Sequence, residues 1–307
     1  MKKKATLRDV AKEAGVSVAT VSYVLNNVKN QTIPEETKQK VFEAAGKLQY
    51  VQNLTAKALS LGKTNLLGVL LVSSAEAAVA KTVGYGTFLD RLERRCREEG
   101  YHLLVSQVDP LRPNLGIIEE RKLDGVFLID AVEQSFHAIS GHFQYGSPLV
   151  LIDSYIEDAL FRKVNLNMRQ LFELAHDMDA GQPAALICGQ ASNRLYNEKL
   201  REASGFDESH IYEASDDEAG LRAFIERHED KRLIVINEFL ALRVLKYRSP
   251  DSIVAVCTSE CPQFLPEQTR KIRLSASKAD VCFDLMSLML KSAFSTYDDY
   301  EIGLERV

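Results

Sequence analysis

No run of 18 or more apolar residues occurs in this 307-residue chain, and its first residues pass from three lysines directly into an amphipathic pattern. Neither a membrane span nor a secretory leader is expected, so the protein reads as cytoplasmic, without a membrane partner. Cysteine is scarce and unpatterned. Cys96, Cys188, Cys257, Cys261 and Cys282 are odd in number and contain no C-x-x-C pair, so reduced thiols are expected rather than a disulfide framework. Catalytic signatures are missing too. There is no G-x-S-x-G; Gly62-Lys63-Thr64 has Lys57 where the first glycine of a phosphate loop belongs; and Gly84-Tyr85-Gly86 meets Leu89 instead of a third glycine. His137 and His142 lack the spacing of metal ligands on one helix face. The chain does not read as an enzyme, and no catalytic residue, cofactor or metal site is expected.

What is present begins at residue 6. TLRDVAKEAGVSVATVSYVLN reads as two short helices joined at Gly15-Val16-Ser17, the layout of a helix-turn-helix whose second helix enters the DNA major groove. Val10, Ala14, Val16, Val21 and Leu25 supply a small core, and Ala11 and Gly15 are small enough to let the helices cross closely. Ser17 stands at the N-cap of the second helix, and Thr20 and Ser22 present hydroxyls toward phosphates. The outward positions Val18, Ala19, Ser22 and Tyr23 offer apolar or hydroxyl contacts to bases and no arginine for a bidentate guanine contact.

Thr32-Ile33-Pro34-Glu35 fits a capping box, and Val41, Phe42, Ala45 and Leu48 make the apolar stripe of a third helix. NLTAKAL, residues 53–59, is a helix-forming segment too short to be stable alone, followed by a linker. Charge divides the chain in the same place. Residues 1–63 hold eleven Lys/Arg against five Asp/Glu, a balance of +6, so the whole-chain charge of −5 leaves −11 on the remainder. A basic headpiece gains affinity by releasing counterions from phosphates, and an acidic remainder discourages non-specific adhesion.

Beyond residue 65 the pattern alternates. Apolar, β-rich runs at 66–72, 102–105, 125–129, 149–153, 184–188, 233–237 and 253–257 are separated by helical stretches such as 88–99 and 166–178. This reads as two doubly wound parallel sheets, with any ligand beyond the carboxyl ends of the strands. A stripe of Val281, Cys282, Leu285, Leu288 and Met289 on a helix over 278–291 reads as lobe core, part of which could bury a dimer seam.

DVAKEAGVSVATVSYVLN and NLTAKAL together resemble the headpiece and hinge patterns of the LacI/GalR family of bacterial transcriptional regulators. LGVLLV, KLDGVFLI, SPLVLIDS and LIVINEFLALRVL are similar to strand landmarks of that family's two-lobed, periplasmic-binding-protein-like effector domain. The resemblance implies an all-α headpiece over 1–52, a hinge over 53–63 and an effector and dimerisation domain over 64–307. The first lobe is expected at about 64–158 plus 276–296, and the second at about 159–275 plus 297–307. It implies DNA contacts from Thr6, Ser17, Val18, Ala19, Thr20, Ser22, Tyr23 and Asn26, and from Asn53, Lys57 and Leu59 in the hinge. Leu59 would wedge into the minor groove and kink the duplex.

The sequence departs from the family pattern at several places. Tyr23 stands where arginine is frequent, and residues 27–32 form a slightly longer connection. In the effector domain the family's R-x-x-G-[FW] ends in Asn197, N-D becomes Asn237-Glu238, and G-[FY]-D-D becomes Cys257-Thr258-Ser259-Glu260. V-x-x-D-N becomes Val164-Asn165-Leu166-Asn167-Met168. The positions expected to line an effector cleft are Asp153, Arg194 and Asn237, which suit a small polar, sugar-like ligand, with Ser259 in place of the family's sugar-gripping aspartate. The resemblance implies a homodimeric repressor on operator DNA, controlled by such an effector. Two other readings stay open: a degenerate cleft under the control of a protein partner or of dimerisation, and a ligand-binding protein that carries a DNA headpiece.

Overall fold

The computed structural model describes residues 5–25, 32–50, 63–72, 79–109, 116–134, 136, 147–158, 161–179, 182–291 and 299–307. The chain divides into two compact units, residues 1–64 and 65–307. The expected DNA contacts Asn26, Asn53, Lys57 and Leu59 lie outside the described residues, as does the rest of NLTAKAL.

In the first unit, α1 (Leu7–Ala14), α2 (Val18–Leu25) and α3 (Glu35–Lys47) pack around Val10, Ala11, Val21, Val24, Val41 and Ala44. Thr6 opens α1 with a capping box: its hydroxyl accepts from Asp9 N, and Asp9 accepts from Thr6 N at 2.8 Å. Gly15 closes α1 at φ 68°, its N–H bonded to Ala11 O. A Cβ there would meet no atom within 4 Å, so glycine serves the left-handed turn and not, as the spacing suggests, a close helix crossing. Two other readings change at α3. Its N-cap is Pro34 with no side-chain cap bond, so Thr32 closes no capping box, and Phe42 is 55% exposed while Ala44 takes the buried position.

The second unit holds two six-stranded sheets. The strands are β1 (Leu66–Val72), β2 (His102–Val108), β3 (Gly125–Ile129), β4 (Leu149–Ile152), β5 (Arg162–Leu166), β6 (Ala184–Gly189), β7 (Ile211–Ala214), β8 (Arg232–Ile236), β9 (Ile253–Cys257), β10 (Arg270–Leu274), β11 (Tyr300–Ile302) and β12 (Leu304–Arg306). The first sheet runs β11-β5-β4-β3-β1-β2 with every pairing parallel. The second runs β12-β10-β9-β8-β6-β7, parallel except at β12. Among the described residues, the α-helices of this unit are α4 (Val79–Glu98), α5 (Gly116–Arg121), α6 (Met168–Asp179), α7 (Arg194–Ser204), α8 (Glu218–Arg227), α9 (Glu238–Val244) and α10 (Lys278–Lys291).

The central strands are buried on both faces, as parallel strands covered by helices must be. Leu67, Val69, Phe127 and Ile129 pack with Leu92 of α4 and Cys282 and Phe283 of α10, while Leu70, Val126 and Leu128 face Ile118 and Phe136. The buried positions of α10 are Lys278, Ala279, Cys282, Phe283 and Met286. Of the expected stripe, Cys282 is buried, Val281, Leu285 and Met289 pack half-buried against the same core, and only Leu288 is exposed, at 51%. The chain crosses between lobes three times, from β5 to α6, from β10 to α10, and from β11 to β12. The expected lobe boundaries near 158 and 297 shift accordingly, because β5 and β11 are hydrogen-bonded into the first sheet. Among the described residues, no helix is long and apolar enough to cross a membrane.

Candidate functional site

In the headpiece, Ser17 Oγ accepts from Thr20 N at 3.0 Å, capping α2 as its position predicts, and pairs with Thr20 Oγ1 at 2.9 Å. Val21 and Val24 hold α2 to the core. Val18, Ala19 and Tyr23 are exposed and Thr20 and Ser22 half-exposed. α2 carries no charged side chain, so its free face offers methyl groups, hydroxyls and one phenol ring.

In the second unit, a cavity of about 560 Å³ lies at the carboxyl ends of the strands and is lined from both lobes. Asp130 follows β3, Asp153 follows β4, Asn237 follows β8, and Ser259 and Glu260 follow β9, all at its wall. Among the described residues, seven non-glycine residues have positive φ, and four of them, Asp130, Asp153, Asn237 and Glu260, line this cavity. Backbone held in that sparsely populated region concentrates where side chains must be aimed. Phe88, Leu166, Met168, Leu200, Ile236 and Leu240 form the apolar part of the wall.

Three of the four expected effector residues meet here: Asp153, Asn237 and Ser259. Each is already engaged by its own chain. Asp153 accepts from Lys278 Nζ through both oxygens at 2.9 and 2.8 Å. Asn237 caps α9, its Oδ1 accepting from Phe239 N and Leu240 N, and its Nδ2 donates to Ser259 Oγ at 2.9 Å. Gly84 of α4 comes so close that a Cβ there would stand 2.8 Å from Ser259 Oγ, while Thr87 donates to Ser259 O at 2.8 Å. Buried Glu238 fixes the same loop by accepting from Ser259 N and Cys261 N. Burial raises its pKa, partly countered by those two N–H groups.

Arg194 does not reach the cavity. It is the first residue of α7, its side chain is 75% exposed, and it pairs with Glu198 one turn on. The residue that does connect the lobes is its neighbour Asn193, which has no exposed surface. Asn193 Oδ1 accepts from Tyr196 N and Tyr155 N, and Nδ2 donates to Ala131 O and Tyr155 O at 2.8 and 3.1 Å. Asp130 Oδ1 accepts from Ser192 N and Asn193 N, and Glu133 accepts from Leu195 N at 2.9 Å.

Of the positions that depart from the family pattern, Asn167 and Asn197 are spent on the backbone, as is the neighbouring Asn165. Asn165 exchanges bonds with Ser154 N and O, Asn167 accepts from Gln170 N, and Asn197 bonds Ala191 N and O. The sequence reading passes over Asp130, Lys278, Tyr85 and Tyr196. Asp130 obeys the same strand-end rule as Asp153, whereas Lys278 and the tyrosines reach the wall from helices, and no local pattern marks them.

Comparison with known proteins settles the headpiece. Residues 6–53 match the family described as bacterial regulatory proteins, lacI family. These residues therefore carry a headpiece of the lacI type. Its curated relatives include the HTH-type transcriptional repressor PurR of Edwardsiella ictaluri, 28% identical over 216 residues, 65% of this chain and 61% of that one. PurR of Mannheimia succiniciproducens is 31% identical over 48% of this chain and 43% of its own length. The matched region thus spans about 60% or less of these relatives. Among solved structures, the lac repressor dimer bound to operator and the anti-inducer ONPF superposes with a TM-score of 0.73 at 18% identity, covering 99% of this chain and 98% of that one. The regulator CelR in complex with cellobiose superposes at 0.59 with 16% identity, over the same shares. At such identities the likeness establishes the fold, a helical headpiece with a two-sheet α/β domain.

Proposed function

We propose that this chain is a sequence-specific DNA-binding transcriptional repressor that acts in the cytoplasm as a homodimer, its operator affinity set by a small polar effector held between the lobes. The observation that carries the reading is the capped, uncharged, outward face of α2 on a headpiece of regulatory-protein type. Thr6, Ser17, Val18, Ala19, Thr20, Ser22, Tyr23 and Asn26 would meet the major groove, with Asn53, Lys57 and Leu59 at the minor groove. Ligand between the lobes would favour one lobe angle over another, and a difference in affinity for the two states worth typically ~1–3 kcal/mol suffices for control.

Selecting bound sequences from a random DNA pool with the full chain tests this directly. A pseudo-palindromic consensus bound by a dimer is the expected result, and capture without sequence preference would overturn it. Leu59→Ala should then reduce operator affinity and DNA bending, and unchanged bending would remove the hinge role.

A second reading is favoured by one observation: Asp153, Asn237 and Ser259 are all engaged within the chain. It makes the lobes respond to a protein partner or to dimerisation alone. An operator affinity that no small molecule changes, but that a co-purifying protein does, would support it.

A further inference from the structure

Two carboxylates of the cavity wall cross between the lobes in opposite directions. Asp130 follows β3 in the first lobe, and its Oδ1 accepts from Ser192 N at 2.8 Å and Asn193 N at 3.2 Å, the two residues that lead into α7 of the second lobe. Glu133 extends that contact by accepting from Leu195 N at 2.9 Å. Glu260 follows β9 in the second lobe, and its Oε1 accepts from Ser277 Oγ at 3.1 Å and Lys278 N at 2.9 Å, at the start of α10 in the first lobe. Its Oε2 stands 3.6 Å from Arg91 Nη1 of α4. Each lobe thus places a negative charge on the N-terminus of a helix of the other, where free N–H groups and the helix dipole favour it.

The same backbone device aims both carboxylates. Asp130 has φ 57° and Glu260 φ 58°, in the left-handed region that residues other than glycine rarely occupy. Such strain persists only where surrounding contacts hold it, and here those contacts are made to the opposite lobe. Asp130 is only 1% exposed, so N–H groups of the second lobe, and not bulk water, meet its carboxylate. Each lobe is a sheet with tightly packed central strands and moves as a body on the three crossovers. Two caps that span the same pair of bodies must open and close together.

We propose that Asp130 and Glu260 form a reciprocal lock, each capping a helix of the opposite lobe, so that the chain's own carboxylates set the lobe angle. Both are positioning residues. The effect of the lock on DNA binding rests on the repressor reading, whereas the lock itself does not.

Hydrogen–deuterium exchange of the full chain, read by mass spectrometry over residues 192–196 and 277–281, tests it. Asp130→Ala should speed exchange at the start of α7 about tenfold, the scale of a lost hydrogen bond to a charged group. It should also speed exchange at the start of α10, whose cap is Glu260. Glu260→Ala should show the converse. The central strands β6 and β9 should not follow, which separates lobe opening from general loss of stability. Asp130→Asn and Glu260→Gln keep the shape and remove the charge, and should give the same paired pattern in weaker form if an alanine variant fails to fold. Acceleration confined to the helix that lost its own cap, or no acceleration at either, would overturn the lock. In the same variants operator affinity should change about tenfold. Unchanged affinity beside paired acceleration would overturn control of DNA binding through the lobes and leave the lock standing.

Discussion

Lys278 Nζ lies 2.9 and 2.8 Å from the two carboxylate oxygens of Asp153, with only 8% and 14% of the two side chains exposed. The pair joins the end of β4 to the start of α10, elements 125 residues apart. Glu260 holds the same helix start from the second lobe, accepting from Ser277 Oγ and Lys278 N. Removing one partner leaves a charge buried without its counterion. Asp153→Leu and Lys278→Met should therefore each destabilise the chain by about 3–5 kcal/mol, and the double variant by much less. Urea unfolding of the three variants checks it, and additive losses would show that the two residues act independently.

All five cysteines are buried. Burial pushes the thiols of Cys96 and Cys188 up to about 12 and those of Cys257 and Cys282 further. Since the thiolate is the reactive form, the folded protein should resist Ellman's reagent at neutral pH and react only in denaturant. Fast labelling of any one cysteine in the native state would contradict this.

Glu238 gives a pH prediction with a definite sign. Its folded pKa is raised above the ordinary 4.5 by burial, so the native state holds the proton more tightly than the unfolded chain does. Its contribution to stability is present below pH 4.5 and is lost as pH rises through the folded pKa. Unfolding midpoints of wild type and Glu238→Gln, compared from pH 4 to pH 7 at roughly half-unit steps, should shift in favour of the glutamine variant as pH rises. A constant difference would count against it.

Ser17→Ala removes the oxygen that accepts from Thr20 N and should cost about 1 kcal/mol of headpiece stability. Thr6→Ala, which opens the capping box with Asp9, should cost a similar amount. Circular dichroism melts of the full chain, followed at the headpiece transition, measure both. Tyr23→Arg leaves the core untouched, because Tyr23 is 38% exposed. It should instead alter the selected DNA sequence toward guanine at the contacted position.

Much of this fold is legible in sequence where strands are apolar, and little of it where they are not. Leu66–Val72, Gly125–Ile129 and Ile253–Cys257 are continuous hydrophobic runs and occur as read. β10, RKIRL, carries three cations in five residues, and β11 and β12 are three-residue edge strands whose pairing comes wholly from distant chain. No local window reveals them. The cavity divides the same way. Asp153 and Asn237 are found at strand ends and Ser259 through the family motif it interrupts, but on a helix one residue of error turns a side chain by about 100°. Asn193 therefore bridges the lobes while Arg194 points into solvent.

β11 completes the edge of the first sheet and β12 that of the second, with Gly303 alone between them. Seven consecutive residues thus finish two separate sheets. Pairings of such sequence separation form late, because the loop-closure entropy must be met before any contact rewards it. One short segment thus serves both lobes, so a chain cut before Tyr300 would leave each sheet without an edge strand.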